Sequence, residues 1–357
     1  MPQTPLHATH EKLGASFTDF GGWEMPLKYG SELEEHRAVR TDVGIFDLSH
    51  MGEITIQGPD AAAFLDYALI SNFSALKDGK AKYSMIVAED GGIIDDLITY
   101  RFSENHFMVV PNAANTNAVW AAFEARQGDF EVQLSNNSEA FALVAVQGPR
   151  AIEVLEPLLS DDASALSYYS GAWMTLDGVE TFVARTGYTG EDGFELFCTR
   201  EDAQRVWDAV IDHGTPCGLA ARDSLRLEAS MPLYGHELTA EITPVEAGMG
   251  RAFAKKEADF VGKDALTGRE PSVVIAGLIS EQRRAAREGA EVFLAGSDDK
   301  IGVVTSGQPS PTLGHPVALA HLDPAHAEEG TEVDIDIRGR RYPFTIAPTP
   351  FYSRKDA

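Results

Sequence analysis

Four charged residues and three glycines lie close together between positions 185 and 195, in Arg-Thr-Gly-Tyr-Thr-Gly-Glu-Asp-Gly-Phe-Glu. They interrupt a strand-like run that resumes at Phe194. Glycine permits a tight turn or the close approach of another group. Two interpretations follow. The segment is a hairpin turn with its charges in solvent, or it is a ligand loop in which Tyr188 stacks on a bound molecule and Glu195 accepts hydrogen bonds from a polar heterocycle.

A second acidic site follows two glycines in Gly91-Gly-Ile-Ile-Asp-Asp-Leu-Ile-Thr-Tyr. Neighbouring strand residues face opposite sides, so Asp95 and Asp96 are not expected to point into one pocket. One carboxylate is then solvated or accepts hydrogen bonds in a turn. The other lies among isoleucines and leucines, where a buried acid must be paired or must bind something. The alternative is two edge-strand acids that limit aggregation.

A cationic pair occurs in Leu219-Ala-Ala-Arg-Asp-Ser-Leu-Arg-Leu-Glu-Ala, whose composition predicts a helix. Arg222 and Arg226 are four residues apart, so both lie on one helix face, which is unfavourable unless an anion lies there. The candidate anions are Glu195, Asp96 and a ligand carboxylate. The alternative is an ordinary network of surface ion pairs.

Several other chemistries lack support in the sequence. The histidines show no metal-binding spacing, and no glycine-rich phosphate or dinucleotide loop is present. Ser49 and Ser224 have no identifiable base partner, and His50 is expected to be structural. Two cysteines in 357 residues are too few for a disulfide framework or a zinc cluster. We therefore expect no metal.

The net charge of −26 argues against a nucleic-acid partner and against an anionic membrane surface. The N-terminus lacks the basic start and apolar core of a signal peptide. No apolar run approaches the roughly 20 residues that a membrane-spanning helix needs. The sequence predicts a cytoplasmic protein that contacts neither nucleic acid nor membrane.

The elements that must position these residues include an internal duplication. Gln57-Gly-Pro recurs as Gln147-Gly-Pro, 90 positions later, each time between an alternating strand and a helix. A second pair of strands, each ending in a predicted helix cap at Asn112 or Thr199, follows the same order at an offset of 87. Each copy is thus close to a ferredoxin-like βαββαβ unit. At this offset the counterpart of Glu195 is Met108, so the acid departs from the repeat, which favours a ligand role.

Residues 272–357 alternate short β-rich runs with turn residues, which indicates a small antiparallel barrel or sandwich. We predict an α+β protein with three domains. The first α+β domain comprises residues 1–50 with 140–225, the second 51–139 with 226–265, and the C-terminal β-barrel domain 272–357.

Five motifs can be read along the chain: Asp19-Phe-Gly-Gly-Trp-Glu-Met-Pro-Leu, Val43-Gly-Ile-Phe-Asp-Leu-Ser-His-Met-Gly-Glu, Gly91-Gly-Ile-Ile-Asp-Asp-Leu, the segment 185–195 and Ala221-Arg-Asp-Ser-Leu-Arg-Leu-Glu-Ala. Together with the segment starting at Thr305, these motifs resemble, in order and nearly end to end, the aminomethyltransferases of the glycine cleavage system, a family also called T-protein. The resemblance implies a three-domain cloverleaf, with two duplicated ferredoxin-like α+β units and a C-terminal antiparallel β-barrel.

The resemblance also implies roles for individual residues around a tetrahydrofolate channel. Asp96, rather than Asp95, matches the carboxylate that the family places beside the reacting nitrogens. Glu195 would hydrogen-bond the pterin edge, and Arg222 would pair with folate or order the acids. Tyr188 and Tyr83 would line the channel, with secondary contacts from Asn112, Met51 and Tyr234.

The implied reaction transfers the methylene of an aminomethyl-dihydrolipoyl H-protein to tetrahydrofolate, with release of ammonia and formation of 5,10-methylenetetrahydrofolate. Tetrahydrofolate is then a co-substrate and the lipoylated H-protein a partner. Two alternatives share a folate channel: a folate-dependent demethylase, and a non-catalytic folate-binding factor for iron–sulfur cluster assembly. The second alternative carries a Lys-Gly-Cys-Tyr-x-Gly-Gln-type motif, which neither Cys198 nor Cys217 matches.

Overall fold

The computed structural model describes residues 1–355. These residues form two compact units. The first comprises residues 1–86, 94–222 and 256–261, and the second comprises 87–93, 223–255 and the residues from 262 onward. The predicted three-domain boundaries are a different division of the chain and stay a prediction.

The helices are α1 His7–Lys12, α2 Glu32–Thr41, α3 Ala61–Ala68, α4 Thr116–Arg126, α5 Ala151–Leu155, α6 Ala203–Ile211, α7 Leu219–Glu228 and α8 Lys263–Leu266. The strands up to residue 147 are β1 Ser16–Phe20, β2 Trp23–Lys28, β3 Gly44–Asp47, β4 Ile54–Gln57, β5 Ala81–Val87, β6 Ile93–Ser103, β7 His106–Pro111, β8 Gln133–Asn136 and β9 Phe141–Gln147. The remaining strands are β10 Gly171–Leu176, β11 Val179–Ala184, β12 Gly193–Thr199, β13 Thr215–Pro216, β14 Val274–Ile279, β15 Glu291–Leu294, β16 Lys300–Pro309, β17 Pro316–Leu322, β18 Glu332–Asp336 and β19 Arg341–Ala347.

The first α+β sheet has the order β5-β6-β7-β4-β8, and β4 pairs antiparallel with both β7 and β8. This placement of strands around α3 and α4 is the ferredoxin-like arrangement. The two helices contribute Phe64 and Phe123 to the buried core, where their rings lie 5.5 Å apart. The prediction of an α+β unit is confirmed for this copy.

The second sheet has the order β10-β11-β12-β9-β3-β13. Strand β3 precedes this copy in the sequence, yet it pairs with β9 and occupies the place that β8 takes beside β4. The strand after α6, β13, is only two residues long and lies parallel to β3 on its far side. The second copy therefore completes its sheet with an upstream strand, which the sequence comparison did not show.

The repeat register agrees with the sequence offsets. Met108 lies opposite Thr55 in the first copy, and Glu195 lies opposite Ala145 in the second. The same two strands of each copy are therefore paired in the same register. Gly58 and Gly148 follow the first strand of each copy with φ of 136° and 139°, a backbone conformation that favours glycine. The two copies thus share the turn as well as the strand order.

Strands β14 to β19 close a six-stranded antiparallel barrel in the order β14-β17-β16-β15-β18-β19. Alternating residues fill its interior, among them Leu278, Val292, Ile335 and Phe344. The prediction of a C-terminal β-barrel is confirmed. Within residues 1–355, no helix is long and apolar enough to cross a membrane.

Candidate active site

The charges of the 185–195 segment are mostly paired with each other or with nearby elements. Arg185 forms a two-pronged ion pair with Asp192, with Nε–Oδ1 and Nη2–Oδ2 distances of 3.0 and 2.6 Å. Arg40, in the last turn of α2, reaches Glu191 at 3.0 Å and the carbonyl of Thr189 at 2.7 Å. The interpretation of a hairpin with its charges in solvent is therefore wrong, because these pairs hold both ends of the loop.

A buried glutamine holds the middle of the same loop. Gln147 Nε2 donates to the carbonyl of Thr186 at 3.1 Å, and Gln147 Oε1 accepts from the Thr189 hydroxyl at 2.9 Å. A Cβ at position 187 would clash with the Gln147 side chain, so glycine is required there. Both polar ends of this buried amide are satisfied, which makes the loop a defined element.

Glu195 lies in the third position of β12 and is 9% exposed. Its cross-strand neighbours are alanines, Ala145 on β9 and Ala184 on β11, which leave space beside the carboxylate. Oε2 accepts hydrogen bonds from Thr186 Oγ1 at 2.5 Å and from Tyr100 Oη at 3.2 Å. Within residues 1–355 no hydrogen-bond donor reaches Oε1. The buried carboxylate therefore keeps one oxygen able to accept from a bound molecule.

Arg222 lies in the first turn of α7, with its guanidinium carbon 4.8 Å from the centroid of the Tyr188 ring. This distance is within the range of a cation–π contact. Burial lowers the pKa of Arg222, while the charge of Glu195 acts in the opposite direction. Glu195 and Tyr188 therefore lie within the electrostatic reach of Arg222.

The other arginine of the predicted pair has separate partners in the second unit. Arg226 is buried and lies 2.9 Å from Glu237 and 2.8 Å from Asp223, with a further hydrogen bond to Ser306. Arg226 is thus neutralised by its own carboxylates, and neither Glu195 nor Asp96 is its partner. Its role is structural, as is that of Glu228, which accepts from Ser310 and Thr312 of the barrel.

Asp96 is half-buried on β6, and both of its oxygens accept hydrogen bonds. Tyr83 Oη donates to Oδ2 at 2.9 Å, and Asn112 Nδ2 donates to Oδ1 at 2.9 Å. Burial raises the pKa of Asp96 to about 6, although the two hydrogen bonds act to lower it. The carboxylate is held in one orientation, and its pKa places its change of charge near pH 6.

Asp95 is fully buried and has a structural environment. It accepts from the backbone N–H of Asn112 at 2.8 Å and from the side-chain amides of Asn112 and Asn115 at 2.9 and 2.7 Å. Burial, followed by the charge of Asp96, raises the pKa of Asp95 to about 8. The acids are not separated as strand alternation predicts, because the Asn112 amide reaches both.

Asn112 was predicted as a helix cap, and it does occupy the N-cap position of the helical turn Ala113–Asn115. Its side chain makes no capping hydrogen bond, since its amide is used by the two aspartates. The corresponding Thr199 does cap, accepting from the N–H of Asp202 at 3.3 Å. The two predicted caps therefore differ, and the one beside Asp96 serves the acids.

Two further predicted site residues are Met51 and Tyr234. Met51 is half-buried in a turn, where its N–H donates to the carbonyl of Leu48 at 3.0 Å. Tyr234 belongs to the second unit, and its hydroxyl donates to the carbonyl of Ile93 at 2.9 Å. Their proposed ligand contacts stay predictions.

Electrostatic effects indicate that the other predicted residues share one neighbourhood. Burial raises the pKa of Tyr83, and Asp96, Tyr188 and Tyr169 raise it further. Burial likewise raises the pKa of Tyr169, with contributions from Glu195 and Asp96. Tyr83 and Asp96 are in direct contact, and Tyr188, Tyr169 and Glu195 lie within electrostatic reach of this pair or of each other.

Sequence reasoning missed three residues of this site, Tyr100, Thr186 and Tyr169. It also missed the electrostatic role of His50. Tyr169 has φ of 59°, unusual for a non-glycine residue, and no sequence signal marked it. Burial and then the charge of Arg222 lower the pKa of His50 to about 4, so this histidine is neutral near pH 7. Thr186 was part of the loop motif, but its hydroxyl depends on a contact that the motif does not reveal.

The arrangement offers two hydrogen-bond-accepting carboxylates, one cation and several aromatic rings. Such a set suits a flat polar heterocycle with N–H donors, and a carboxylate near the reacting atoms can stabilise developing positive charge. Among residues 1–355, no group of three or more histidines, cysteines and acids is placed to hold a metal ion.

Comparison with known families defines the class of the protein. A family model described as the GCVT N-terminal domain matches residues 6–257, and one described as the glycine cleavage T-protein C-terminal barrel domain matches residues 274–353. An aminomethyltransferase of Corynebacterium aurimucosum is 60% identical, with 98% of each chain covered, and one of Streptomyces coelicolor is 51% identical, covering 99% of this chain and 98% of its own. The chain therefore belongs to the aminomethyltransferase family of glycine cleavage T-proteins.

A solved structure supports the same conclusion. The glycine cleavage system aminomethyltransferase T from Bartonella henselae is 38% identical and has a TM-score of 0.93, covering 99% of this chain and 98% of its own. The predicted family, transferase class and mixed α+β fold with a barrel are confirmed.

Proposed function

We propose that this chain transfers the methylene of an aminomethyl-dihydrolipoyl H-protein to tetrahydrofolate, releasing ammonia and forming 5,10-methylenetetrahydrofolate. The observation that carries the proposal is the buried Glu195, whose Oε1 has no donor within residues 1–355 while Asp96 shares its aromatic surroundings. The family membership supports the reaction, and these two acids supply the groups that it requires.

The proposed residue roles follow from the chemistry of a reduced pterin. Its N–H donors suit the free oxygen of Glu195, and Tyr188 and Tyr83 would line the channel around it. Arg222 would pair with folate or order the acids. Asn112 would orient Asp96, and Met51 and Tyr234 would make secondary contacts.

The proposed chemistry requires a fixed anion beside the reacting nitrogens. Folate N5 forms a bond to the methylene carbon as the carbon–nitrogen bond of the aminomethyl group breaks, and the proton lost from N5 goes to the departing nitrogen, which leaves as ammonia. The carbon–sulfur bond then breaks, the thiolate takes a proton, and N10 closes the ring with loss of its own proton. Positive iminium character develops when the sulfur leaves, and the Asp96 carboxylate would stabilise it. Holding the two reactants together would supply much of the remaining acceleration.

The partner follows from the same reaction, because the aminomethyl group is carried on the dihydrolipoyl arm of the H-protein. The whole-chain similarity to aminomethyltransferases favours this reaction over a folate-dependent demethylase or a non-catalytic assembly factor. A cytoplasmic location is proposed with it, as the compartment where the two substrates would meet.

The test uses purified protein with lipoylated H-protein loaded with an aminomethyl group from glycine. We expect ammonia and 5,10-methylenetetrahydrofolate to form only when tetrahydrofolate is present. H-protein without lipoate is the matched control and should release nothing. Folate binding without ammonia release would overturn the proposal in favour of the demethylase or the assembly factor.

A further inference from the structure

Two hydroxyl groups form a triangle with one carboxylate oxygen of Glu195. Thr186 Oγ1 and Tyr100 Oη both donate to Oε2, at 2.5 and 3.2 Å, and the two hydroxyl oxygens lie 2.9 Å apart. All three residues are buried. Two hydroxyl donors therefore converge on one carboxylate oxygen, and neither reaches the other oxygen.

The triangle joins the two copies of the duplication. Tyr100 belongs to β6 of the first copy, whereas Thr186 and Glu195 belong to the loop and β12 of the second. Tyr100 is the cross-strand neighbour of Met108, which is the repeat counterpart of Glu195. The first copy thus contributes a donor to the acid that only the second copy carries.

The Tyr100 ring is fixed by its packing. Phe182 and Phe197 meet it edge to face, with centroid distances of 5.4 and 5.6 Å. Such pairs restrict the orientation of a ring in addition to burying it. The hydroxyl is therefore held at one position relative to β12, and it acts as a fixed donor.

We infer that Tyr100 and Thr186 are positioning residues for the ligand carboxylate, an inference that rests on the proposed function. By occupying Oε2, the two hydroxyls fix the rotation of the Glu195 carboxylate and direct Oε1 toward the N–H donors of the heterocycle. Hydrogen bonds to a charged group are stronger than neutral ones, so they also stabilise the ionised acceptor. The consequence is affinity for a reduced pterin, with no direct part in methylene transfer.

The experiment compares the dissociation constant of tetrahydrofolate for Thr186→Val, Thr186→Ser, Tyr100→Phe and Tyr67→Phe. We expect Thr186→Val and Tyr100→Phe each to weaken binding about 10-fold, as for a lost hydrogen bond to a charged group. Thr186→Ser should restore affinity because it retains the hydroxyl. Tyr67→Phe is the matched control, since the Tyr67 hydroxyl makes no hydrogen bond within residues 1–355, and it should bind normally.

A double-mutant cycle distinguishes positioning from general packing. In a Glu195→Gln background, Thr186→Val should cost less than about 2-fold in affinity, because the two changes act through the same acceptor. At saturating folate, kcat of the single variants should stay within about 3-fold of the parent, so that the loss appears in KM.

The possible outcomes distinguish a failure of the positioning role from a failure of the proposed function. Additive losses in the cycle, or normal affinity in both single variants while the unmodified protein binds tetrahydrofolate, would overturn the positioning role and leave the proposed function intact. Absence of tetrahydrofolate binding by the unmodified protein would overturn the proposed function and this inference with it. Thermal unfolding of every variant checks that the fold is retained.

Discussion

Glu195 and Met108 occupy equivalent positions in the two copies of the duplicated α+β unit. Glu195 lies opposite Ala145 on β9, and Met108 lies opposite Thr55 on β4. Met108 is buried and, as an apolar side chain, needs no partner, whereas a buried acid requires hydrogen bonds. The second copy supplies one of those bonds through Thr186 of its own loop, and the first copy supplies the other through Tyr100. The acid is therefore a specialised addition to a shared scaffold.

Replacing Glu195 by its repeat counterpart tests that specialisation. Glu195→Met should keep the fold, because the Tyr100 and Thr186 hydroxyls, 2.9 Å apart, can then hydrogen-bond to each other. Tetrahydrofolate binding should weaken by roughly 10- to 150-fold, the cost of about 1.5–3 kcal/mol for losing a bond to a charged acceptor. Equilibrium binding measures the loss, and Met108→Leu is the control that should bind normally. Undiminished affinity in Glu195→Met would remove this acid from the ligand site.

Removing the charge of Asp96 distinguishes a role in catalysis from a role in folate binding. Asp96→Asn should retain tetrahydrofolate affinity and lower kcat by at least about 10²-fold, as expected for a lost electrostatic stabiliser. Single-turnover ammonia release provides the measurement. Asp95→Asn is the comparison, and its effect should appear mainly in thermal stability because Asp95 holds Asn112 and Asn115. Normal turnover in Asp96→Asn would contradict the mechanism.

The pKa of Asp96 predicts how the rate depends on pH. Burial raises this pKa to about 6, and the reaction needs the ionised carboxylate, so kcat should rise as pH increases through about 6 and then level. The Tyr83 hydrogen bond lowers the pKa, so Tyr83→Phe should move the rise to higher pH. A pH series of single-turnover rates measures both curves. A rise at an unchanged pH in Tyr83→Phe would show that another group controls the rate.

The sequence predicted those features that depend on local pattern. The register of the repeat, the barrel and the unusual acid at 195 all follow from spacing and residue type. The partners of Glu195 did not, because Tyr100 is 95 residues away and no periodicity specifies a hydroxyl donor from another sheet.

Asn112 and Arg226 also show that local sequence pattern does not reveal the tertiary partners of a residue. Both were assigned to plausible local patterns, a helix cap and an arginine pair. In the structure, Asn112 binds two acids on a neighbouring strand, and Arg226 binds Glu237 and Ser306. Tertiary partners outweighed local preference in both cases, since a buried carboxylate or guanidinium that is left without a partner carries a large free-energy penalty.

The shared turn of the duplication predicts a stability effect. Gly148 has φ of 139°, and a Cβ there would clash with the carbonyl oxygen of Asp42. Gly148→Ala should therefore lower Tm by at least about 5 °C, since strain of about 1–3 kcal/mol accompanies such a backbone and the clash adds to it. Gly30→Ala is the matched control, because its φ is ordinary and its Cβ would meet nothing within 4 Å. Equal Tm values for the two variants would contradict this role of the turn.

Arg222 can be tested through a residue that the mechanism does not use. Burial and then the positive charge of Arg222 lower the pKa of His50 to about 4. Arg222→Met removes that charge, so the pKa of His50 should rise, while burial keeps it below the ordinary value of roughly 6.5. NMR titration of the imidazole nitrogens, assigned with His50→Gln, measures the shift. Arg222→Lys, which retains the charge, is the control and should leave the pKa of His50 low. A pKa of His50 that is the same in Arg222→Met and the parent would place the guanidinium outside the electrostatic reach of this histidine, and would weaken its assignment to the site that contains Glu195 and Tyr188.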